Sequence, residues 1–288
     1  MRNDFALLII SHGRADHVMT VKAIHRAGYT GRWYIILDNE DNQVEKYKKN
    51  FGEEHIIIFD KLAASKTFDI MDNFEGRQVP TYARNVLHQI AKDLGLTYFL
   101  ELEDDYFNFR QRYLKEDDQM LYTRYVRDMD AVIDAYIEFL DKSGAVTVAF
   151  AQTGDFLGGQ DSKVYKEKIT RKAMNCFFCR TDRPFQCFGR FNDDVNSYLD
   201  NGKRGMIFLT PRDMCMDQPQ TQARAGGITE NYLKYGTYVK SFYSVMIAPN
   251  CVQVALMGYV SKRIHHLIDW EKAVPKIISS DFKKGETE

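Results

Sequence analysis

Three adjacent carboxylates, Glu103, Asp104 and Asp105, follow an apolar stretch containing Tyr98-Phe99-Leu100. Side by side they repel one another unless a cation or a basic side chain compensates. A hard divalent ion such as Mg2+ or Mn2+ takes carboxylate oxygens and commonly shares them with phosphates. Such an ion would also stabilise a departing diphosphate as negative charge builds on it. A solvated acidic turn has the same composition, so position and partners decide between the two readings. Asp193 and Asp194 form a second acidic cluster, opening a short helical pattern that ends near Gly202. Negative charge is favourable at a helix start in its own right; the chemical reading is a general base that deprotonates an acceptor hydroxyl. Arg84, within Tyr82-Ala83-Arg84-Asn85, could grip a diphosphate with its planar fork or simply lie at the surface. Ser11, His12 and Arg14 follow the first apolar run, while Asp38 and Asp60 follow the second and third. These two aspartates could accept hydrogen bonds from a base or a ribose, or serve turn chemistry. Arg263-Ile264-His265-His266 precedes Trp270. Its paired imidazoles are candidate extra metal ligands, more usual for Mn2+ or Zn2+ than for Mg2+.

Strand and helix patterns alternate through the part of the chain that carries most of these residues. Apolar runs at Phe5–Ile10, Trp33–Leu37, Ile56–Phe59 and Thr97–Leu102 read as strands. Asp16 is placed to cap a helix ending near Ala27-Gly28, and a short polar helix runs from Val44 to Gly52. Ala83, Val86, Leu87, Ile90, Ala91 and Leu94 recur at three-and-four spacing, predicting a helix over Thr81–Leu94 stopped by Gly95. This alternation predicts an α/β fold: a mainly parallel sheet with helices on both faces. Such sheets bind ligands at the carboxyl ends of their strands, so the polar clusters would line one crevice. Beyond it, Tyr122 through Leu140 predicts one long amphipathic helix, and Gly154–Thr170 reads as a polar loop. Strand-like runs occupy Val146–Phe150, Ala173–Cys179, Met206–Leu209, Ser241–Ile247 and Val252–Met257. With no sharp linker, the reading is one domain over 1–278, with a donor half at 1–110 and an acceptor half at 111–278 carrying the extra strands. A frayed polar tail fills 279–288.

Several functional classes lose support. The chain has no GxGxxG and no GxxxxGK[ST], which removes the fingerprints of hydride transfer and P-loop phosphoryl transfer. A sugar nucleotidyltransferase normally carries a glycine-rich loop after its first strand, and only Gly13 stands there. A formal charge of −1 over 288 residues argues against wholesale electrostatic attraction to nucleic acid. Local clusters remain: Lys163, Lys166, Lys168, Arg171 and Lys172, then Lys203-Arg204, could track phosphates or form solvated faces. No apolar run reaches membrane-spanning length, and Met1-Arg2-Asn3-Asp4 lacks the pattern of a secretory signal; the expected location is the cytoplasm, with no membrane partner. The five cysteines, an odd number at irregular spacing, make a poor disulfide framework. Cys176 and Cys179 sit in a strand-like run, where residues three apart face opposite sides, so buried free thiols are expected rather than a zinc site.

Ser11-His12-Gly13-Arg14, Asp38-Asn39-Glu40-Asp41, Tyr82-Ala83-Arg84-Asn85 and Phe99 through Tyr106 resemble the donor half of GT-A glycosyltransferases. Gly189 through Asp194, Gln218 through Gly227, Tyr235 through Ser241 and Arg263 through Trp270 extend the likeness. Over nearly its whole length the chain is similar to the TET-associated glycosyltransferases, encoded largely by bacteriophages. The resemblance implies inverting transfer of a hexose or pentose from a UDP-sugar to the hydroxymethyl group of 5-hydroxymethylcytosine, or another hydroxymethylpyrimidine, in DNA. It also implies that Asp105 binds the metal, that Glu103 contacts ribose or metal, and that Asp194, beside Asp193, is the base. His265 or His266 matches a late metal-binding histidine. Asp104 belongs with Ser11, His12, Arg14, Asp38, Asp60 and Arg84 as a nucleotide-sugar contact. Glu103 departs from the more usual first aspartate of the motif. To reach a base in DNA the enzyme would extrude it against aromatic residues. A protein or glycan acceptor is the alternative, and a catalytically silent nucleotide- or DNA-binding module is the alternative from another class.

Overall fold

The computed structural model describes residues 1–114, 121–153, 174–219, 234–236, 238–257, 262–273 and 280. Its frame is set by the most apolar runs. Phe5–Ile10 is buried at every residue and forms β1; Tyr98–Glu103, buried up to its last residue, forms β4 beside it. The remaining elements follow in chain order. After β1 come α1 (Met19–Arg26), β2 (Arg32–Asp38), α2 (Val44–Phe51), β3 (Ile56–Phe59), α3 (Lys61–Ser65) and α4 (Thr81–Asp93). After β4 come β5 (Asn108–Leu114), β6 (Leu121–Tyr125), α5 (Met129–Ser143), β7 (Thr147–Val148), β8 (Ala151–Gln152) and β9 (Phe177–Arg180). The chain then makes α6 (Asp193–Lys203), β10 (Phe208–Leu209), β11 (Met214–Asp217), α7 (Val239–Ile247), β12 (Val252–Met257), β13 (Arg263–Ile268) and α8 (Trp270–Ala273).

The main sheet has the order β10-β7-β9-β4-β1-β2-β3, and β9 is its one antiparallel member among the described residues. From β1 the chain lays β2 and β3 to one side, then returns to place β4 on the other. That reversal opens a crevice at the carboxyl ends of β1 and β4. Helices cover both faces, as the aromatic contacts show. Adjacent residues of a strand point oppositely, and Phe177 of β9 meets Tyr198 of α6 whereas Phe178 meets Tyr136 of α5. The α/β architecture expected from the alternation, a mainly parallel sheet with helices on both faces, is therefore present. The sheet also runs across the expected boundary at residue 110, because β7, β9 and β10 continue it. A second sheet, β6-β5-β11-β8, adjoins it, and the β12-β13 hairpin packs on α7.

Local readings differ in three places. Asp16 does not cap α1: it pairs with Lys46, and the first amides of α1, Met19 and Thr20, donate instead to the Asp104 carbonyl at 2.8 and 3.2 Å. Tyr122 through Tyr125 is not the start of a long helix but part of β6, paired with β5. The helix begins only at Met129, where Asp128 accepts the Ala131 amide at 3.0 Å. The run Ser241–Ile247 is helical rather than extended. A helix puts Ser241 and Ser244 on one side, where Ser241 donates to the Ile264 carbonyl at 3.2 Å and Ser244 to Asn196 at 3.0 Å.

Gly28, at φ +83°, ends α1 where α5 begins. A Cβ there would stand 2.2 Å from the Arg127 carbonyl oxygen, so glycine alone permits the approach that lets the Met129 amide reach the Ala27 carbonyl. All five cysteines are free and buried, as expected. Among the described residues no helix is long and apolar enough to cross a membrane. Lys163, Lys166, Lys168, Arg171, Lys172 and all of the 279–288 tail except residue 280 lie outside the described residues, as does most of the stretch from Gln218 to Gly227.

Candidate active site

Strand alternation builds the centre. Phe99, Glu101 and Glu103 share the face of β4 that meets α4, whose Arg84 is only 4% exposed. All three donor nitrogens of the Arg84 side chain are committed. Nη1 donates to Glu101, Nη2 to Glu103 at 2.6 Å and Nε to Asp193 at 2.7 Å, with the Phe177 ring 5.6 Å beneath. Glu103 also accepts from Asn175 Nδ2 at 2.8 Å, and the same amide donates to Gln218 at 3.1 Å. Asp193 and Asp194 arrive on α6, whose entry is turned by Asn192 at φ +52°. Asparagine tolerates that left-handed backbone better than most residues. Its side-chain amide donates to the Lys240 carbonyl at 2.6 Å and Ser244 at 3.2 Å, and lies 3.2 Å from His266 Nδ1. The C-terminal hairpin thereby reaches the acidic pair.

Charge is unbalanced here. Burial opposes the charge of Arg84, yet Glu101, Asp193 and Glu103 hold its guanidinium firmly protonated. One cation does not satisfy the surrounding acids. Burial pushes the Glu101 carboxyl up to about 7 despite Arg84. Burial, then the charge of Asp105, raises Glu103 although Arg84 opposes it. Asp194, half-buried, is raised by burial and by Asp193. His266 is pushed down to about 4 by burial, with His265 and Lys240 adding to the shift.

Asp104 leaves the strand on another side. It is 4% exposed, accepts from Ser11 and lies 3.0 Å from Arg14 Nη1, while Ser11 and the Arg14 amide both meet the Tyr47 hydroxyl. Burial raises its carboxyl against the pull of Arg14. At the end of β2, Asp38 meets His12 Nδ1 at 2.7 Å and Lys61 Nζ at 3.1 Å; burial works against its charge, and these partners hold its carboxyl below the usual range. The Gly13 amide donates to Asp41 at 2.7 Å. Asp60 is exposed and caps α3 by accepting the Ala63 amide at 2.9 Å. Lys203 donates to the Ile247 carbonyl, and Arg204 pairs with Asp200 at 3.0 Å.

The structure thus gathers Arg84, Glu103, Asp193 and Asp194, with Asp105 adjoining and His266 linked through Asn192. Ser11, His12, Arg14, Asp38 and Asp104 line the neighbouring strand ends, and Asp60 stands apart as a cap. Arg84 differs most from its reading as a diphosphate grip, because carboxylates saturate it. Glu101 escapes notice in the sequence as a single acid inside an apolar run; its spacing of two from Glu103, which puts both on one strand face, is the signal. Asn175 and Lys61 carry no such signal, since tertiary contact alone brings them in.

Among the described residues no group of three His, Cys, Asp or Glu is arranged to hold a metal ion. Glu103 has one oxygen on Arg84 and the other on Asn175, and His265 lies in the β12-β13 pair with its Nδ1 2.7 Å from the His266 carbonyl oxygen. The donor chemistry fits a hard divalent cation all the same: carboxylate oxygens in negative surplus at a strand end.

No curated protein matches the sequence. Among solved structures, S. aureus TarS 1-349 is 8% identical with a TM-score of 0.46, covering 86% of this chain and 66% of that one. The chain therefore spans just under two thirds of that structure's length. The complex of TarS 1-349 with UDP-GlcNAc is 10% identical with a TM-score of 0.48, covering 86% and 67%. Glucosyl-3-phosphoglycerate synthase from Mycobacterium tuberculosis, in complex with Mn2+, UDP and phosphoglyceric acid, is 6% identical with a TM-score of 0.45, covering 92% and 86%. A family model described as TET-Associated Glycosyltransferase matches residues 5–227, more than half of the chain. With the strand ends, the Glu103-Asp104-Asp105 triplet and the Asp193-Asp194 pair inside that match, the chain belongs to the TET-associated glycosyltransferase family.

Proposed function

We propose that the chain is a metal-dependent, inverting glycosyltransferase that moves a sugar from a UDP-sugar to the hydroxymethyl group of 5-hydroxymethylcytosine, or another hydroxymethylpyrimidine, in DNA. The observation that carries the reading is the surplus of acids around Arg84: Glu101 and Glu103 toward the carboxyl end of β4, beside β1, and Asp193 at the start of α6. Family membership supports the transferase class and, through the TET association in its name, the acceptor.

Asp105, with Glu103 and His265 or His266, would hold a divalent ion, Mn2+ or Mg2+. When bound, the ion would neutralise charge on the diphosphate leaving group. Ser11, His12, Arg14 and Asp38 line the strand ends where the nucleotide would lie, with Asp104 fixing Ser11 and Arg14. Arg84 is a positioning residue: it fixes Glu103 and Asp193 in one arrangement, so donor and acceptor sides share a post. Asp194 takes the proton of the acceptor hydroxyl as its oxygen attacks the anomeric carbon. The bond from that carbon to the diphosphate oxygen breaks, and UDP leaves with the electron pair. On this reading 1–110 is the donor half and 111–278 the acceptor half of one domain.

Incubation with UDP-sugars, Mn2+ and hydroxymethylated DNA, followed by mass spectrometry of the nucleosides, tests it. Glycosylated nucleoside is the expected product, and its absence with every sugar overturns the acceptor assignment. Asp105→Ala and Asp194→Asn are each expected to lower turnover by about 100-fold or more with the fold intact. Near-full rate in Asp194→Asn would assign the base to another group.

A further inference from the structure

We propose that the β5-β6 face beside the crevice is a docking surface for a polynucleotide strand, with one base stacking on Tyr125 among arginine guanidiniums. The proposal rests on the DNA-acceptor reading and says where the strand would lie. Arg110 and Tyr125 are directly opposite in the β5-β6 ladder, so both side chains stand on one face. The Arg110 guanidinium lies 4.6 Å from the Tyr125 ring centre and that of Arg127 6.0 Å from it. Tyr125 is nevertheless 48% exposed. Beside it, Arg26, Asn108, Tyr125 and Arg127 rim a 180 Å³ cleft floored by Ala23 and Phe109.

Charge decides the class of partner. Arg110 is balanced by Asp217 at 2.7 Å. Arg26 and Arg127 donate to main-chain carbonyls, those of Phe107 and Arg26, and neither has a carboxylate partner among the described residues. Arginine and tyrosine are enriched at protein interfaces as well; the two guanidiniums without a carboxylate partner among the described residues are what favour a polyanion here. Phosphates suit the guanidiniums, and every base has a π face for the tyrosine. The surface lies at the Arg110–Tyr125 pairing, within the described residues of β5 and β6.

Placement links this surface to the chemistry. Asn108 follows Asp105 by three residues, at most about 11 Å of extended chain. The Phe107 amide donates to the Asp217 carbonyl at 3.0 Å, and Gln218, next in sequence, meets Asn175, which holds Glu103. A strand lying across Tyr125 would thus pass close to the candidate metal carboxylate.

Fluorescence anisotropy with a short single-stranded oligonucleotide, over a salt series, tests the proposal, with UDP affinity by calorimetry as control. Tyr125→Ala and Arg127→Ala are each expected to weaken oligonucleotide binding about tenfold, Tyr125→Phe to retain it, and all three to keep UDP affinity. Arg127→Ala should also flatten the salt dependence by roughly 0.7 in log–log slope. Wild-type affinity in both alanine variants, or equal loss in Tyr125→Phe, overturns this surface while leaving glycosylation of DNA by the wild-type chain standing. A wild-type chain that binds no oligonucleotide at low salt overturns the surface, and failure to glycosylate DNA then overturns the acceptor reading with it.

Discussion

Arg84 organises the candidate site through what it neutralises. A buried guanidinium with three carboxylates is stable only while both sides remain, because removing one partner strands uncompensated charge in a low-dielectric interior. Arg84→Met keeps much of the side-chain volume but leaves Glu101, Glu103 and Asp193 facing one another. We expect it to destabilise the fold by about 3–5 kcal/mol in urea denaturation; a loss below about 1 kcal/mol would show that the acids are solvated or protonated without it. Arg84→Lys is not a conservative change here, since one ammonium cannot reproduce three nitrogens aimed at three carboxylates.

At the scale of elements, the site depends on where helices start and stop. Gly28 lets α1 end against the chain entering α5, and Arg26 on that last turn reaches back to the Phe107 carbonyl. Gly28→Ala must push the Arg127 carbonyl away while holding φ +83°, so we expect a loss of at least about 1 kcal/mol, read as a drop of several degrees in Tm. An unchanged Tm would mean that the junction yields freely. These elements were unevenly legible. β1 through β4 and α4 stand out because continuous apolar runs and a clean helical period leave one reading each. Ser241–Ile247 does not, because seven mostly apolar residues suit strand or helix until Ser241 and Ser244 find their partners. Tyr122 and Tyr125 happen to extend the period of α5 backwards, although the cap at Asp128 marks its true start. The acidic runs of the site were visible as runs; Glu101 was hidden inside a strand, and the saturation of Arg84 could not be read without knowing what stands around it.

At the scale of the whole molecule, stability in mild acid is a balance: the raised carboxyls of Glu101, Glu103 and Asp194 favour the fold as the pH falls, and His88 acts against it. His88 is 8% exposed, packed edge-on to Phe99 and Phe185, and its Nε2 has no hydrogen-bond partner among the described residues. Burial, with a smaller contribution from Lys92, pushes its pKa down to about 4 from 6.5. Below about pH 6.5 the unfolded chain takes up a proton that the folded chain refuses, so stability present above that pH is lost as the pH falls toward 4. The loss approaches roughly 3 kcal/mol. His88→Leu should raise the urea midpoint at about pH 4.5 relative to that at about pH 7, compared with the same ratio in the wild type; an identical pH dependence in both proteins would show that His88 contributes nothing to it. A last consequence follows from the position of β9. The middle strand of the main sheet, β4, is hydrogen-bonded on one flank to a segment made well before it and on the other to one made long after it. On a ribosome, the nascent chain would carry that flank bare until Phe177–Arg180 emerged, an adhesive edge in a crowded cell. Nor are residues 1–110 and the rest of the chain interchangeable cassettes: a new segment grafted after residue 110 would have to bring its own β9 and its own Asp193.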